Sequence, residues 1–77
     1  MVHAYVLITI AIGKMNLVIN ELNSMDYVEN LDSVTGPCDL IVKLKADDYH
    51  ELKEVVLNKI QHIDGVMGCS TSLVVDL

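Results

Sequence analysis

The sequence nearly repeats itself at a spacing of 38 positions, and that repetition leaves the chain few folds to choose from. Val18 recurs as Val56, Leu22 as Ile60, Met25 as Ile63, Asp26 as Asp64 and Val28 as Val66, while upstream Ala4 falls on Val42 and Val6 on Leu44. Apolar positions coincide with apolar positions, and turns with turns. Each half therefore reads as one β-α-β unit. Two such units in tandem make a ferredoxin-like β-α-β-β-α-β sandwich, whereas a solenoid needs about three or more copies of a shorter unit.

From His3 to Ile12 both alternating sets are apolar or β-branched, Val6, Ile8, Ile10 and Ile12 on one and Tyr5, Leu7 and Thr9 on the other, so a strand covered on both faces is expected. Gly13 breaks the pattern, and Met15, Val18, Ile19, Leu22 and Met25 then follow the spacing of a one-sided helix. A second strand is expected from about Tyr27 to Thr35. Its Glu29, Asn30, Asp32 and Ser33 suit an edge whose charges discourage stray pairing. Gly36-Pro37 turns the chain into a third strand, Asp39 to Lys45, completing a hairpin. Asp47 or Asp48 caps a second helix with Leu52, Val56, Ile60 and Ile63 as its buried stripe, and Asp48 with Glu51 has capping-box spacing. Asp64-Gly65 ends that helix, and a last strand runs from Val66 to Val75.

Right-handed crossovers place both helices on one face of a four-stranded antiparallel sheet, with the fourth, first, third and second strands in that order. If Val6, Ile8, Leu40 and Val42 face the helices, then Tyr5, Leu7 and Ile41 lie on a bare face. Such a face is an apolar patch that a second copy would cover, giving a homodimer packed sheet to sheet (a dimeric α/β barrel) and a route to a higher oligomer. The 52% apolar content, in a chain of 77 residues that buries only about 60–65% of its unfolded surface, agrees with a shared interface. No linker or low-complexity stretch divides the chain, so residues 1–77 are expected to form one domain.

Eleven acids stand against five lysines and no arginine, a formal net charge of −6, which disfavours direct contact with nucleic acid. The apolar N-terminal run lacks a basic start and a cleavage site and is shorter than the roughly 20 residues needed to cross a bilayer, so it reads as a strand rather than a membrane span or signal. Cys38 and Cys69 form no disulfide framework and suit free thiols in a reducing cytoplasm. His3, His50 and His62 show no metal-ligand spacing, the four glycines form no phosphate loop, and neither cysteine has a base beside it in sequence. No catalytic residue, metal or cofactor is expected. The remaining segment, Ser33 to Leu40, reads either as a hairpin turn with Asp39 as a solvated charge or as a cradle. In the cradle, amide groups around Gly36 hold a carboxylate and Asp39 receives an ammonium.

Val34-Thr35-Gly36-Pro37-Cys38-Asp39-Leu40-Ile41-Val42 resembles the V-T-G-x-Y-D-L-x-V hairpin of the Lrp/AsnC effector domain, also called the domain of regulation of amino-acid metabolism. The helix Asp48-Tyr49-His50-Glu51-Leu52, the turn Ile63-Asp64-Gly65-Val66 and the closing strand with Thr71 and Leu73-Val74-Val75 are similar to that family's later motifs. The resemblance implies a stand-alone effector domain of a prokaryote, without the helix-turn-helix that usually precedes it. It also implies that an amino acid or similar small molecule binds where the hairpin of one dimer meets another dimer. By position, Thr35, Gly36 and Asp39 would line that site, with Thr71 from the last strand. Pro37 and Cys38 depart from the family pattern there, Pro37 removing one backbone donor. The implied role is indirect regulation of transcription through self-association or association with full-length Lrp/AsnC regulators. Two rival readings are a ligand-free structural module pairing with such regulators and a small dimeric α/β-barrel enzyme. Three tyrosines, with no Phe or Trp, give the enzyme no aromatic-lined pocket.

Overall fold

The computed structural model describes residues 1–75. Its elements are β1 (Val2–Ile10), α1 (Met15–Asn23), β2 (Val28–Ser33), β3 (Leu40–Ala46), α2 (Tyr49–Val55), a π-helical turn Val56–Ile60 that continues α2, and β4 (Val66–Leu73). The sheet is antiparallel throughout with the order β2-β3-β1-β4, so the fold is the ferredoxin-like α+β sandwich that the internal repeat requires.

Alternation on the two central strands makes the core. Val6 stands opposite Val42 and Ile8 opposite Leu40, and all four, with Ala4 and Leu44, are fully buried. Opposed residues share a face of the sheet, so this set forms a continuous apolar surface for the helices. Val18 and Leu22 of α1 and Leu52, Val55, Val56 and Ile60 of the second helical segment close over it. The residues related by the 38-residue spacing therefore occupy equivalent places, since Val18 and Val56, Leu22 and Ile60, Ala4 and Val42, and Val6 and Leu44 are all buried. Met15 and Met25 pack against the same core.

The helix ends are held differently. Asp48 is the residue that caps α2, its Oδ1 accepting the Glu51 N–H at 2.8 Å, while Glu51 Oε1 accepts the Asp47 N–H at 3.4 Å. One otherwise unpaired donor of the first turn, and the N–H of the residue before the cap, are satisfied in this way. At its far end the helix widens, with the Gln61 N–H donating to the Val56 carbonyl at 3.1 Å, five residues back. Val55 and Val56, three and four residues after Leu52, are both buried, as the regular spacing of a one-sided helix allows. α1 starts at Lys14 without a side-chain cap.

Strand ends differ from the expected ones. β1 stops at Ile10, short of Ile12, because the Ile10 N–H donates to the Asp39 carboxylate at 2.7 Å and the Ala11 N–H to the Gly65 carbonyl at 2.8 Å. Neither donor continues a ladder, and Ile12 stands fully exposed at the loop that Gly13 turns with φ +82°. β2 is shorter than Tyr27 to Thr35 and has a register shift between Val28 and Asn30; β4 ends at Leu73, not Val75. Gly65 ties the two crossover loops together. Its φ is +102°, and a Cβ there would sit 2.5 Å from the Lys14 Cβ. Lys14 Nζ and Asp64 Oδ2 pair at 3.0 Å across the same contact.

No helix among the described residues covers the second face of the sheet. Tyr5 is exposed there, Leu7 and Ile41 are half-buried, and the Lys43 ammonium lies over the Tyr5 ring at 5.8 Å. His3 and Lys43 both approach Glu29, at 3.3 and 4.0 Å. No helix in the described residues is long and apolar enough to cross a membrane.

Candidate functional site

The turn between β2 and β3 gathers three of the four residues singled out by sequence. Thr35 and Gly36 are exposed and Asp39 is half-buried. The turn is closed by the Val34 N–H donating to the Asp39 carbonyl at 3.0 Å, and Gly36 crosses it with φ +126°, a conformation that glycine adopts without steric penalty. A Cβ at Gly36 would meet nothing within 4 Å, so the backbone there is approachable. The N–H groups of Thr35, Gly36 and Cys38 donate to no protein atom among the described residues, and Pro37 has none to offer. Unpaired amides around a positive-φ residue form a concavity suited to an anionic group.

Asp39 does more than sequence suggests. Its N–H donates to the Ile8 carbonyl at 2.9 Å and its Oδ2 accepts the Ile10 N–H at 2.7 Å, so it extends the β1–β3 ladder past its last backbone pair. One carboxylate oxygen is committed to holding the hairpin onto β1. The other has no partner among the described residues and is available to a cationic group.

Thr71 is placed elsewhere. It stands opposite Val6 on β4, which puts it on the helix side of the sheet, and it lines a cleft of about 430 Å³ between α2 and β4 with Tyr49, Leu52, Lys53 and Leu73 among the other walls. Within one chain it does not join the hairpin. Its walls come from α2 and β4, which follow each other in the chain, but no residue pattern in the sequence marks a cleft between them. A larger cleft of about 730 Å³ lies between the ends of the two helices, with Glu21, Asp26, Lys59, His62 and Asp64 at its polar rim.

His50 and His62 are exposed, and His3 meets Glu29. No group of three or more His, Cys, Asp or Glu residues able to hold a metal occurs among the described residues. Cys38 and Cys69 are free thiols; Cys69 Sγ accepts a hydrogen bond from Gln61 Nε2 at 3.5 Å.

The four-stranded antiparallel sheet with both helices on one face is a ferredoxin-like α+β domain. The sequence profile of the Lrp/AsnC ligand binding domain matches residues 3–76, and the chain belongs to the Lrp/AsnC family. Over 70 residues it is 31% identical to an uncharacterised HTH-type transcriptional regulator of Pyrococcus abyssi, covering 91% of this chain and 44% of that protein. The chain thus spans less than half the length of the curated relatives it matches. Among solved structures, FFRP-DM1 superposes with a TM-score of 0.94 at 32% identity, over 97% of this chain and all of that one. AsnC of E. coli gives 0.91 at 25% identity, over 99% of this chain and 52% of that one. The transcriptional regulator NMB0573 of Neisseria meningitidis, solved as a complex with L-Met, gives 0.90 at 18% identity over 97% and 50% of the two chains, a likeness of fold. The chain is a regulatory domain of a family whose relatives are named as transcriptional regulators.

Proposed function

We propose that residues 1–77 form a single non-enzymatic effector domain that binds an amino acid or a related small molecule at the hairpin turn and regulates transcription indirectly, through association with itself or with full-length Lrp/AsnC regulators. The observation that carries this reading is the pairing of opposite binding capacities within one turn. Unpaired amides at Thr35 and Gly36 suit a carboxylate, and the uncommitted oxygen of Asp39 suits an ammonium. An α-amino acid presents both groups a short distance apart. The hairpin is open to water on one side, so a neighbouring chain would complete the site, and the bare face with Tyr5, Leu7 and Ile41 supports a homodimer packed sheet to sheet beneath it. The regulator of Neisseria meningitidis with its bound L-Met makes amino acids the first class to test.

Thermal unfolding of the pure chain against a panel of amino acids tests the reading. A ligand at a hundred times its Kd adds about 2.7 kcal/mol, which raises the midpoint by roughly ten degrees or more in a domain of this size. Asp39→Asn is the sharper variant than Asp39→Ala, because the amide oxygen still accepts the Ile10 N–H while the charge for an ammonium is gone. The expected result is an unchanged midpoint without ligand and a lost shift with it. An unaltered ligand shift removes Asp39 from the site. A flat panel for the native chain favours the ligand-free interaction module, which co-purification with a DNA-binding relative regardless of amino acids would support.

A further inference from the structure

The helix layer stops short of the outer strand β4. Thr71 and Leu73 stand opposite Val6 and Ala4, on the helix side of the sheet, yet both are exposed while their two partners are fully buried. Between them and α2 lies the cleft of about 430 Å³, within the roughly 300–1,000 Å³ of small-molecule sites. Side chains that bridge helix and strand hold its two ends. At one end Tyr49 Oη donates to the Val74 carbonyl at 3.3 Å, and at the other Gln61 Nε2 donates to Cys69 Sγ at 3.5 Å. Leu52 and Val56 are buried at its floor, and Leu57 and Leu73 give it an exposed apolar rim. Charge sets this cleft apart from the rest of the chain. The net charge is −6, yet no Asp or Glu lines the cleft, whereas the larger cleft between the helix ends carries Glu21, Asp26 and Asp64. Its one charged wall residue is Lys53, which makes no ion pair among the described residues and has no acid three or four positions away on its helix.

The geometry points to a second binding site in this cleft, one that takes an apolar monocarboxylate such as a medium-chain fatty acid. The hydrocarbon chain lies between Leu52, Val56, Leu57 and Leu73, and the carboxylate stays at the rim, where the Lys53 ammonium and the Thr71 hydroxyl donate to it. A lysine suits this place, because its stem packs along apolar surface while its ammonium stays in water. The walls also select against other ligands. An ammonium finds no carboxylate here, so an amine or a free amino acid gains nothing from its amino group. A small anion without an apolar part makes only an exposed ion pair, which is worth little. The site is separate from the hairpin turn, where an ammonium and a carboxylate are both accommodated. Thr71, which the family resemblance groups with the hairpin, belongs to this cleft. The inference goes beyond the effector reading and does not depend on it.

The test titrates the full chain with octanoate by calorimetry, below the concentration at which octanoate forms micelles, with 1-octanol, octylammonium and acetate for comparison. Octanoate should bind saturably, and the neutral and cationic analogues should bind at least roughly tenfold more weakly, the loss expected when a charge-assisted hydrogen bond is missing. Acetate should not bind. Lys53→Met keeps the apolar stem and should weaken octanoate by roughly tenfold or more. Thr71→Trp fills the cleft from an exposed position and should abolish binding with circular dichroism unchanged. Should that variant fail to fold, Lys53→Met decides alone. Failure of octanoate to bind saturably, equal affinity for 1-octanol or octylammonium, or unaltered octanoate binding in Lys53→Met or in folded Thr71→Trp would each overturn the inference. The last outcome would place the hydrocarbon chain elsewhere, on the open face of the sheet. These measurements use no amino acid, so they stand or fall apart from the hairpin.

Discussion

The first half of the molecule runs β1-α1-β2 and the second β3-α2-β4, and the two lay the same apolar positions over the same sheet. They differ at their ends. In the first half α1 begins without a side-chain cap and leads to an outer strand bearing Glu29 and Asp32. In the second, Asp48 caps α2, a π turn lengthens it, and the outer strand is uncharged. The shared positions build the core, and the differing ones give each end of the sheet its own behaviour. An internal repeat therefore predicts the fold well and the binding surfaces poorly, because the latter reside in what is not repeated.

The largest effects should come from breaking the shared positions. Leu22 and Ile60 are equivalent and fully buried, and Leu22→Ala or Ile60→Ala should each cost about 2–5 kcal/mol. That is a large part of the stability of a small domain, typically about 5–15 kcal/mol. Denaturant titration at one protein concentration would measure both. Similar losses would support two equivalent halves. A much smaller loss at Ile60 would mean that the π turn, which already departs from regular spacing, relaxes into the cavity, and the halves would then differ in rigidity as well as in their ends.

The next effect tests the joint between the halves. Gly65→Ala should cost roughly 2–3 kcal/mol, because the new methyl meets the Lys14 side chain and the backbone is held at a positive φ. Gly13→Ala shares the positive φ but meets nothing within 4 Å, so it should cost about 1 kcal/mol. Equal losses would mean that backbone conformation alone matters and that the crossover loops are not packed against each other.

These residues show where sequence reading succeeds and where it stops. The buried set Ala4, Val6, Val18, Leu22, Val42 and Ile60 was legible because burial follows local periodicity, and the hairpin because Gly36-Pro37 sits between alternating strands. The end of β1 was not legible. Ile12 continues the apolar alternation, but whether a strand continues depends on where its donors go, and the Ile10 N–H goes to a carboxylate 29 residues away. Gly65 reads locally as a helix stop, while its contact with Lys14 spans the two halves. At the candidate site, Gly36 and Asp39 were read together from the turn itself, and Thr35 and Thr71 were added only by the resemblance to the Lrp/AsnC effector domain. The structural duty of Asp39 and the position of Thr71 on the helix side of β4 depend on the register between the strands, which the expected strand order does not supply.

The smallest predicted effect separates two adjacent aspartates. Asp48→Ala removes the side chain that accepts the Glu51 N–H and should cost about 1 kcal/mol, as loss of an N-cap does. Asp47 only donates its backbone N–H to Glu51, so Asp47→Ala keeps that bond and should change stability by a few tenths of a kcal/mol at most, roughly what an exposed substitution costs. Measured together by urea titration, the pair bears on the asymmetry between the halves. A clear loss at Asp48 with none at Asp47 means that α2 depends on its own N-terminal cap, a contribution that α1, which starts at Lys14 without a side-chain cap, does not have. If Asp48→Ala is silent, packing alone holds α2 and the capped and uncapped helices are energetically alike.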